Sequence, residues 1–324
     1  MDRILELLQG GGFVSGEAIA REMGISRAAV WKRIDALRAG GFPIISSGKR
    51  GYSLDADSDA LLPELVRLGL ETSLIGKSLD YSPVIGSTNK RGKEKMMMGG
   101  TDGLVVYAGE QTSGRGRLKR EWISPKDAGV YMTICLRPFI PPEKAPFLTM
   151  LAAVAVSRAI KAQTGLSASL KWPNDVIISG KKVCGILSEM AAEPDKLEYA
   201  VVGIGINVNQ LSEDFPQELK ARATSLRIEA DRKFRRADII RAVISEADEL
   251  YAAFLKSGES AFIGSFRENC VTIGSRVNVS GAVSITGTAV DMDETGALIV
   301  KDDGGKAHRV MAGDVSVRGV MGYA

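Results

Sequence analysis

Along the first sixty residues the apolar positions fall twice at helical spacing and then alternate. Ile19, Ala20 and Met23 give one helical face; Val30, Ile34 and Leu37 give another at i, i+4, i+7. Ser15-Gly16-Glu17 opens the first helix, Gly24 supplies the turn, and Ser26 can cap the second, which runs to about Leu37. Two short helices joined by a glycine-containing turn make a helix-turn-helix. Residues 43–54 then read strand, turn, strand, with the turn at Ser47-Gly48-Lys49-Arg50-Gly51, as in the wing of a winged helix.

A polar stretch at 55–62 reads as a linker. Beyond it, strand-like runs at 104–108, 130–136, 169–172, 176–178, 184–190 and 199–208 mix with helical segments at 147–163 and 237–256. That predicts an α+β core with a mixed sheet. From Cys270 onward, short alternating runs at 276–279, 288–291, 297–300 and 315–317 are separated by Gly and Asp turns. This is the pattern of a small all-β barrel. The expected fold class is therefore α+β multidomain: a winged helix-turn-helix at 1–60, a core at 63–265 and a barrel at 270–324.

Composition narrows the chemistry. The chain of 324 residues has room for two or three domains, and its 45% apolar and 25% charged residues are ordinary for a globular protein. Net charge is only +3, so nucleic-acid binding would need a local patch. One exists. Between residues 26 and 53 six basic residues face a single acid, Asp35, a local net of +5. Ser26, Arg27, Lys32, Arg33, Lys49 and Arg50 are the candidates to meet DNA phosphates. Winged helices also serve as dimerisation or protein-docking modules, so both uses stay open at this point.

Cys135, Cys184 and Cys270 lie far apart with no C-x-x-C, which argues against a zinc knuckle or a disulfide framework. His308 is the one histidine, so Ser-His-Asp triads and multi-His metal sites are not expected. The start of the chain lacks a basic region followed by a long apolar run, and the longest low-charge stretch, 145–156, is short of the roughly 20 residues a bilayer span needs. A cytoplasmic protein without a membrane partner is expected.

Five stretches are dense in functional residue types. Gln111-Thr112-Ser113-Gly114-Arg115-Gly116-Arg117 alternates glycines with arginines, and Lys119, Arg120 and Trp122 follow. Glycine lets backbone approach a ligand, and arginine offers forked donors to phosphate or carboxylate. The alternative is a solvated basic turn. Lys171-Trp172-Pro173-Asn174-Asp175 places an amide and a carboxylate at a strand end, suited to Mg2+ or a ribose, or equally to an Asx turn. Lys181-Lys182 stands in the turn before a buried strand. Either it neutralises charge in a pocket or it is an ordinary turn pair; Cys184 beside it reads as a packing residue. Gly203-Ile204-Gly205-Ile206-Asn207 is too short for a dinucleotide fingerprint and reads as a glycine-bearing strand against which a flat ligand can lie. Ser87-Thr88-Asn89 offers hydroxyls and an amide at a helix start, for a neutral polar head group or simply as an N-cap.

Taken in order within the three-part layout, S-T-N, G-R-G-R, K-W-P-N-D, K-K-x-x-G-I-L and G-I-G-I-N resemble the bifunctional biotin–protein ligase and biotin operon repressor family, the BirA family, over nearly the whole chain. Each motif is weak alone; the ordered set is specific. The resemblance implies an SH3-like C-terminal barrel. It implies an enzyme that makes biotinyl-5′-AMP from biotin and ATP with Mg2+, releasing pyrophosphate. Biotin then passes to a lysine of the biotin carboxyl carrier protein of acetyl-CoA carboxylase. It further implies a homodimer that forms with biotinyl-AMP bound and represses biotin synthesis genes at an operator.

By the same resemblance, Ser87, Thr88, Asn89 and Gln111 surround the biotin ureido head. Gly114, Arg115, Gly116 and Arg117 form the loop over biotin and adenylate, and Gly185, Leu187, Gly203 and Ile204 line the biotin wall. Trp122, Asn174, Asp175 and Asn207 lie on the nucleotide side, with Mg2+ near Asp175. Lys182, with Lys181 as a weaker stand-in, meets the biotin carboxylate and α-phosphate, so Lys182 and Arg117 carry the catalysis. Lys119 departs from relatives in which the loop reads G-R-G-R-x-G-R, because it stands where their later glycine would be. The basic and Met-rich run 90–98 has no account from sequence. Two competing readings remain: a ligand-sensing transcription factor without chemistry, and a lipoate–protein ligase.

Overall fold

The computed structural model describes residues 2–281, 284–312 and 315–319. Helix α1 (Arg3–Leu8) precedes the two expected helices, α2 (Gly16–Met23) and α3 (Arg27–Ala39). Ser15 Oγ accepts from the Ala18 N–H at 3.0 Å and Ser26 Oγ from the Ala29 N–H at 3.2 Å, so both expected N-caps are in place. Gly24 closes α2 at φ 64, the left-handed turn that favours glycine. Strands β1 (Ile44–Ser47) and β2 (Gly51–Leu54) form the antiparallel wing. Ile4, Leu5, Leu8, Ile19, Val30 and Ile34 make its small core.

The linker is no free tether. Helix α4 (Pro63–Arg67) gives Leu65 to the N-terminal core and Val66 to the large one. Asp59 accepts from the backbone N–H and Nε of buried Arg236 at 2.6 and 2.5 Å. Arg236 Nη2 also reaches Asp127 Oδ1 at 3.0 Å.

The central sheet runs β3 (Leu79–Ser82), β4 (Leu104–Ala108), β5 (Gly129–Leu136), β9 (Leu197–Asn207), β8 (Lys181–Ala192), β7 (Asp175–Ile178), β6 (Ser169–Lys171). The β3–β4 pair is parallel and the rest antiparallel, so the sheet is mixed as expected. Its two faces follow the period-2 rule. Met132, Ile134, Ile186, Val202 and Ile204 pack with α6 (Pro146–Thr164) and α8 (Arg236–Ser257). Val106, Cys135 and Val201 pack under α5 (Thr88–Met97), with Met96. That second face also carries Gly185 and Leu187 of β8 and Gly203 and Gly205 of β9, left open beyond the start of α5.

The expectation that no segment suits a bilayer is corrected for α6. Residues Pro142–Thr164 are long and apolar enough to cross one by length and composition, but 67% of the apolar window is buried inside the protein. A helix whose apolar residues are mostly buried against the sheet and α8 is a core helix.

After α7 (Leu226–Ala230) and α9 (Ile263–Asn269), strands β10 (Arg276–Gly281), β11 (Ile285–Met292), β12 (Leu298–Asp302), β13 (Ala307–Val310) and β14 (Val315–Gly319) form an antiparallel sheet in the order β13-β12-β11-β10-β14. It docks on the core: Val277, Ala289 and Leu298 belong to the large cluster, and the Trp172 indole N–H donates to Gly296 O at 3.0 Å.

Candidate functional site

A cavity of about 360 Å³ opens on the glycine-bearing face of β8 and β9. The start of α5 closes one end. Ser87 caps α5, so the plain N-cap reading holds, and Ser87 also lines the cavity. Thr88 donates twice to Gln111 Oε1, from its N–H at 2.9 Å and its hydroxyl at 3.1 Å. Gln111 Nε2 in turn donates to Ser124 Oγ at 3.0 Å. Asn89 reaches the wall, but its amide is taken by the protein. Nδ2 donates to Leu187 O and Glu189 Oε2, and Oδ1 accepts from Thr133 Oγ1 at 2.7 Å. A Cβ on Gly203 would overlap Asn89 Oδ1, so glycine there admits this buried amide. Burial alone would raise the Glu189 carboxyl, but the Lys93 ammonium and the Asn89 amide hold it below the ordinary range.

The loop after β4 folds over the other side. Arg115 pairs with Glu121 in a short antiparallel bridge, and the Gly116 N–H donates to Arg120 O at 2.8 Å. Arg115, Gly116 and Arg117 all line the cavity. Gly114 is not among the lining residues; a side chain there would press on Ser124 Oγ and the Trp122 carbonyl, so its part is to let the loop close on itself. Arg117 spans two units: Nη1 donates to Asn174 Oδ1 at 3.2 Å and Nη2 to Ala312 O in the C-terminal sheet. Trp122 lies across Gly185 and Gly205, whose missing Cβ atoms leave the slot it fills. Its indole N–H is buried without a hydrogen-bond partner.

At the strand ends, Lys182 Nζ sits 2.6 Å from Asp175 Oδ1 and 5.3 Å from the centre of the Trp122 ring. Asn174 Nδ2 donates to Ile186 O at 2.8 Å, so this amide also holds β8 in place. Lys182 rather than Lys181 lines the cavity, with Leu187 and Ile204. Asn207 lines it as well, though its Nδ2 donates to Thr224 O at 2.9 Å. Cys184 is buried and its thiol is pushed far up by desolvation, which suits a packing residue and no nucleophile. His308 pairs with Asp302 on the C-terminal sheet and takes no part in the cavity.

Lys171, Arg120 and Glu121 fall inside the dense stretches but have no site role from sequence; all three line the cavity, and Lys171 is buried. Other lining residues escaped the sequence reading. The segment after β9 supplies Gln210, Phe215, Leu219 and Arg222. It is stitched to β8 at Lys182, whose N–H donates to Arg222 O at 2.7 Å and whose carbonyl accepts from the Thr224 N–H at 2.9 Å. That segment has the composition of a loop, and its long-range hydrogen bonds to Lys182 and Asn207 mark it. Val317 reaches the cavity from the C-terminal sheet. No cluster of three metal-ligating side chains exists among the described residues.

On the winged helix, Arg27, Lys32 and Arg33 of α3 and Lys49 and Arg50 of the wing are all exposed, as is Ser26. The Arg50 guanidinium stacks 4.1 Å from the Phe13 ring, which pins the wing tip to the body.

Comparison with known proteins agrees with this layout. Residues 81–207 match the biotin/lipoate A/B protein ligase family, 1–53 a helix-turn-helix domain, and 272–318 the biotin protein ligase C-terminal domain. The chain is 39% identical over 308 residues to the bifunctional ligase/repressor BirA of Bacillus spizizenii, covering 93% of this chain and 94% of that protein. It is 34% identical over 277 residues to the biotin–[acetyl-CoA-carboxylase] ligase of Mycobacterium tuberculosis, covering 80% and 98%. The structure of biotin protein ligase from Aquifex aeolicus in complex with biotin and ATP superposes with a TM-score of 0.66 at 31% identity, over 75% of this chain and 99% of that one. With likeness running through all three units and nearly the full length of its relatives, this chain belongs to the biotin–protein ligase family, in its bifunctional ligase/repressor (BirA) branch.

Proposed function

We propose that the protein joins biotin to ATP as biotinyl-5′-AMP, releases pyrophosphate, and passes the biotin to a lysine of the biotin carboxyl carrier protein of acetyl-CoA carboxylase. It also acts as a biotin-dependent repressor of biotin synthesis genes. One observation carries the enzymatic part. Polar groups suited to a neutral head group (Ser87, Thr88, Gln111) and cations suited to an acyl phosphate (Arg115, Arg117, Lys182) line one and the same cavity, together with the apolar wall at Leu187 and Ile204. The relatives are named as biotin ligases, and one was solved with biotin and ATP, which favours this reading over a silent sensor or a lipoate ligase.

Adenylation is in-line attack of the biotin carboxylate on the α-phosphorus. It needs positioning and charge stabilisation more than a proton shuttle, so one histidine is no handicap. In this reading Lys182 brings its ammonium between the incoming carboxylate and the α-phosphate. Asp175 holds that ammonium in place, and Arg117 caps the same charge from the loop side. Trp122 offers its ring to the adenine. Mg2+ would neutralise the leaving pyrophosphate; with Asp175 paired to Lys182 and the Asn174 amide engaged at both ends, the phosphates would supply most of its ligands. The loop over Arg115–Arg117 keeps water from the mixed anhydride until the acceptor amine attacks its carbonyl and AMP leaves.

Cytoplasmic placement fits an ATP-dependent reaction, and Cys135, Cys184 and Cys270 are all free and buried. The repressor form is a homodimer with biotinyl-AMP bound, which places two winged helices on one operator. Sedimentation with and without biotin and ATP tests it: a monomer in both would sink that part.

The deciding experiment for the ligase is transfer of biotin to a carrier domain with ATP and Mg2+, beside a Lys182→Ala variant and a lipoate control. Biotin on the carrier, with loss on the order of a hundredfold in the variant, is expected. Lipoate transfer, or an unaffected variant, would overturn the assignment.

A further inference from the structure

Helix α3 carries one large side chain that neither the fold nor the ligase site uses. Trp31 is 56% exposed, whereas Trp172 is 1% exposed and Trp122 lies on the strand glycines. Val30 and Ile34 are the α3 residues buried in the N-terminal core. Trp31 follows Val30 by about 100° around the helix. It stands one turn from Arg27, beside Lys32, with the small exposed Ala28 next to it on the same outward side.

A lone exposed hydrophobe is common on a protein surface and carries no meaning by itself. The setting of this one is different. It stands on the second helix of a helix-turn-helix, inside a stretch whose only acid is Asp35, one turn further along. The exposed cations of α3 and the wing suit phosphates, and charge complementarity therefore selects a polyanion as the occupant of this face. An indole has no charge to offer a phosphate. In a DNA groove its face can take an apolar base edge, and the apolar edge in the major groove is the C5-methyl of thymine.

We infer that Trp31 reads operator DNA, its ring packing on a thymine methyl in the major groove while Arg27, Lys32, Lys49 and Arg50 hold the flanking phosphates. This rests on the DNA-binding reading above, and the test separates the two.

Full-length protein with biotin and ATP is used to select duplexes from a random-sequence pool. The selected site is then remade with each thymine replaced in turn by uracil, which removes only the methyl. Binding is measured for the native protein, Trp31→Ala and Lys32→Ala. At one thymine per half-site, uracil is expected to weaken the native protein on the order of tenfold and to leave Trp31→Ala nearly unchanged. Lys32→Ala is expected to weaken all sequences alike and to flatten the salt dependence by about one ion per subunit. Trp31→Ala should still biotinylate the carrier domain, because the side chain is exposed and is not among the residues lining the cavity, so a folding defect would be visible. Native-like affinity of Trp31→Ala for the selected site, or equal uracil penalties in both proteins, would overturn the role of Trp31. If the native protein selects no sequence at all, the DNA-binding reading fails and takes this inference with it.

Discussion

Lys182 Nζ and Asp175 Oδ1 lie 2.6 Å apart, joining adjacent strands at the edge of the cavity. An unscreened ammonium there would swing on a four-carbon stem; the carboxylate fixes its place before any substrate arrives. Asp175→Asn keeps the shape and removes the charge that anchors Lys182. Adenylation measured by pyrophosphate release should fall on the order of tenfold or more, with biotin binding little changed. A variant with full pyrophosphate release would show that Asp175 merely caps a turn.

Trp122 depends on the absence of a side chain at Gly205. A Cβ at that position would overlap the indole, so Gly205→Ala must displace the ring from its slot. The expected result is a KM for ATP raised on the order of tenfold. Tryptophan emission should shift to longer wavelength as the ring gains water. Unchanged emission together with an unchanged KM would mean that the strand yields instead of the ring.

Lys119 explains a departure from the family loop. It holds φ 58, and Leu118 before it holds φ 55, both in the left-handed region. A glycine at 119 would sit there without the Cβ clash that costs a non-glycine residue about 1 kcal/mol. Lys119→Gly should therefore stabilise the protein by up to about 1 kcal/mol in denaturant unfolding while sparing Arg117 and Arg120, and hence the ligase activity. Destabilisation would mean that the lysine side chain contributes more than its backbone strain costs.

How much of this was readable beforehand follows from where the information lies. The winged helix is local: Ser15, Gly24 and Ser26 cap and turn within a few residues of what they control, and sequence spacing suffices. The wall of the site is also local, because period 2 puts Gly185 with Leu187, and Gly203 with Gly205, on one face. The rest depends on contacts across the chain. Nothing near Arg222 announces that its carbonyl receives the Lys182 N–H. Nothing near Ala312 announces that its carbonyl receives Arg117. Asn89 shows the converse: it sits in a ligand-like motif, yet the fold has already used both ends of its amide.

A turn of the C-terminal sheet should make the stability of the protein depend on pH. Burial works against the charge of Asp293, but donors from Thr295, Arg309 and the Ala297 backbone overcome it and draw the carboxyl down to about 2. A carboxylate whose folded pKa lies below its unfolded one contributes stability above the unfolded value, near 3.8. That contribution fades as pH falls toward the folded value. Asp293 ties the turn whose Gly296 carbonyl accepts the Trp172 indole N–H, and Trp172 leads into Asn174 and Asp175. Asp293→Asn should therefore lower stability at pH 7, and the gap to the native protein should close between about pH 4 and pH 2. Unfolding free energies of the two proteins measured across that range provide the check. A gap that stays constant with pH would mean that the turn is held by its backbone hydrogen bonds alone, independent of the carboxylate charge.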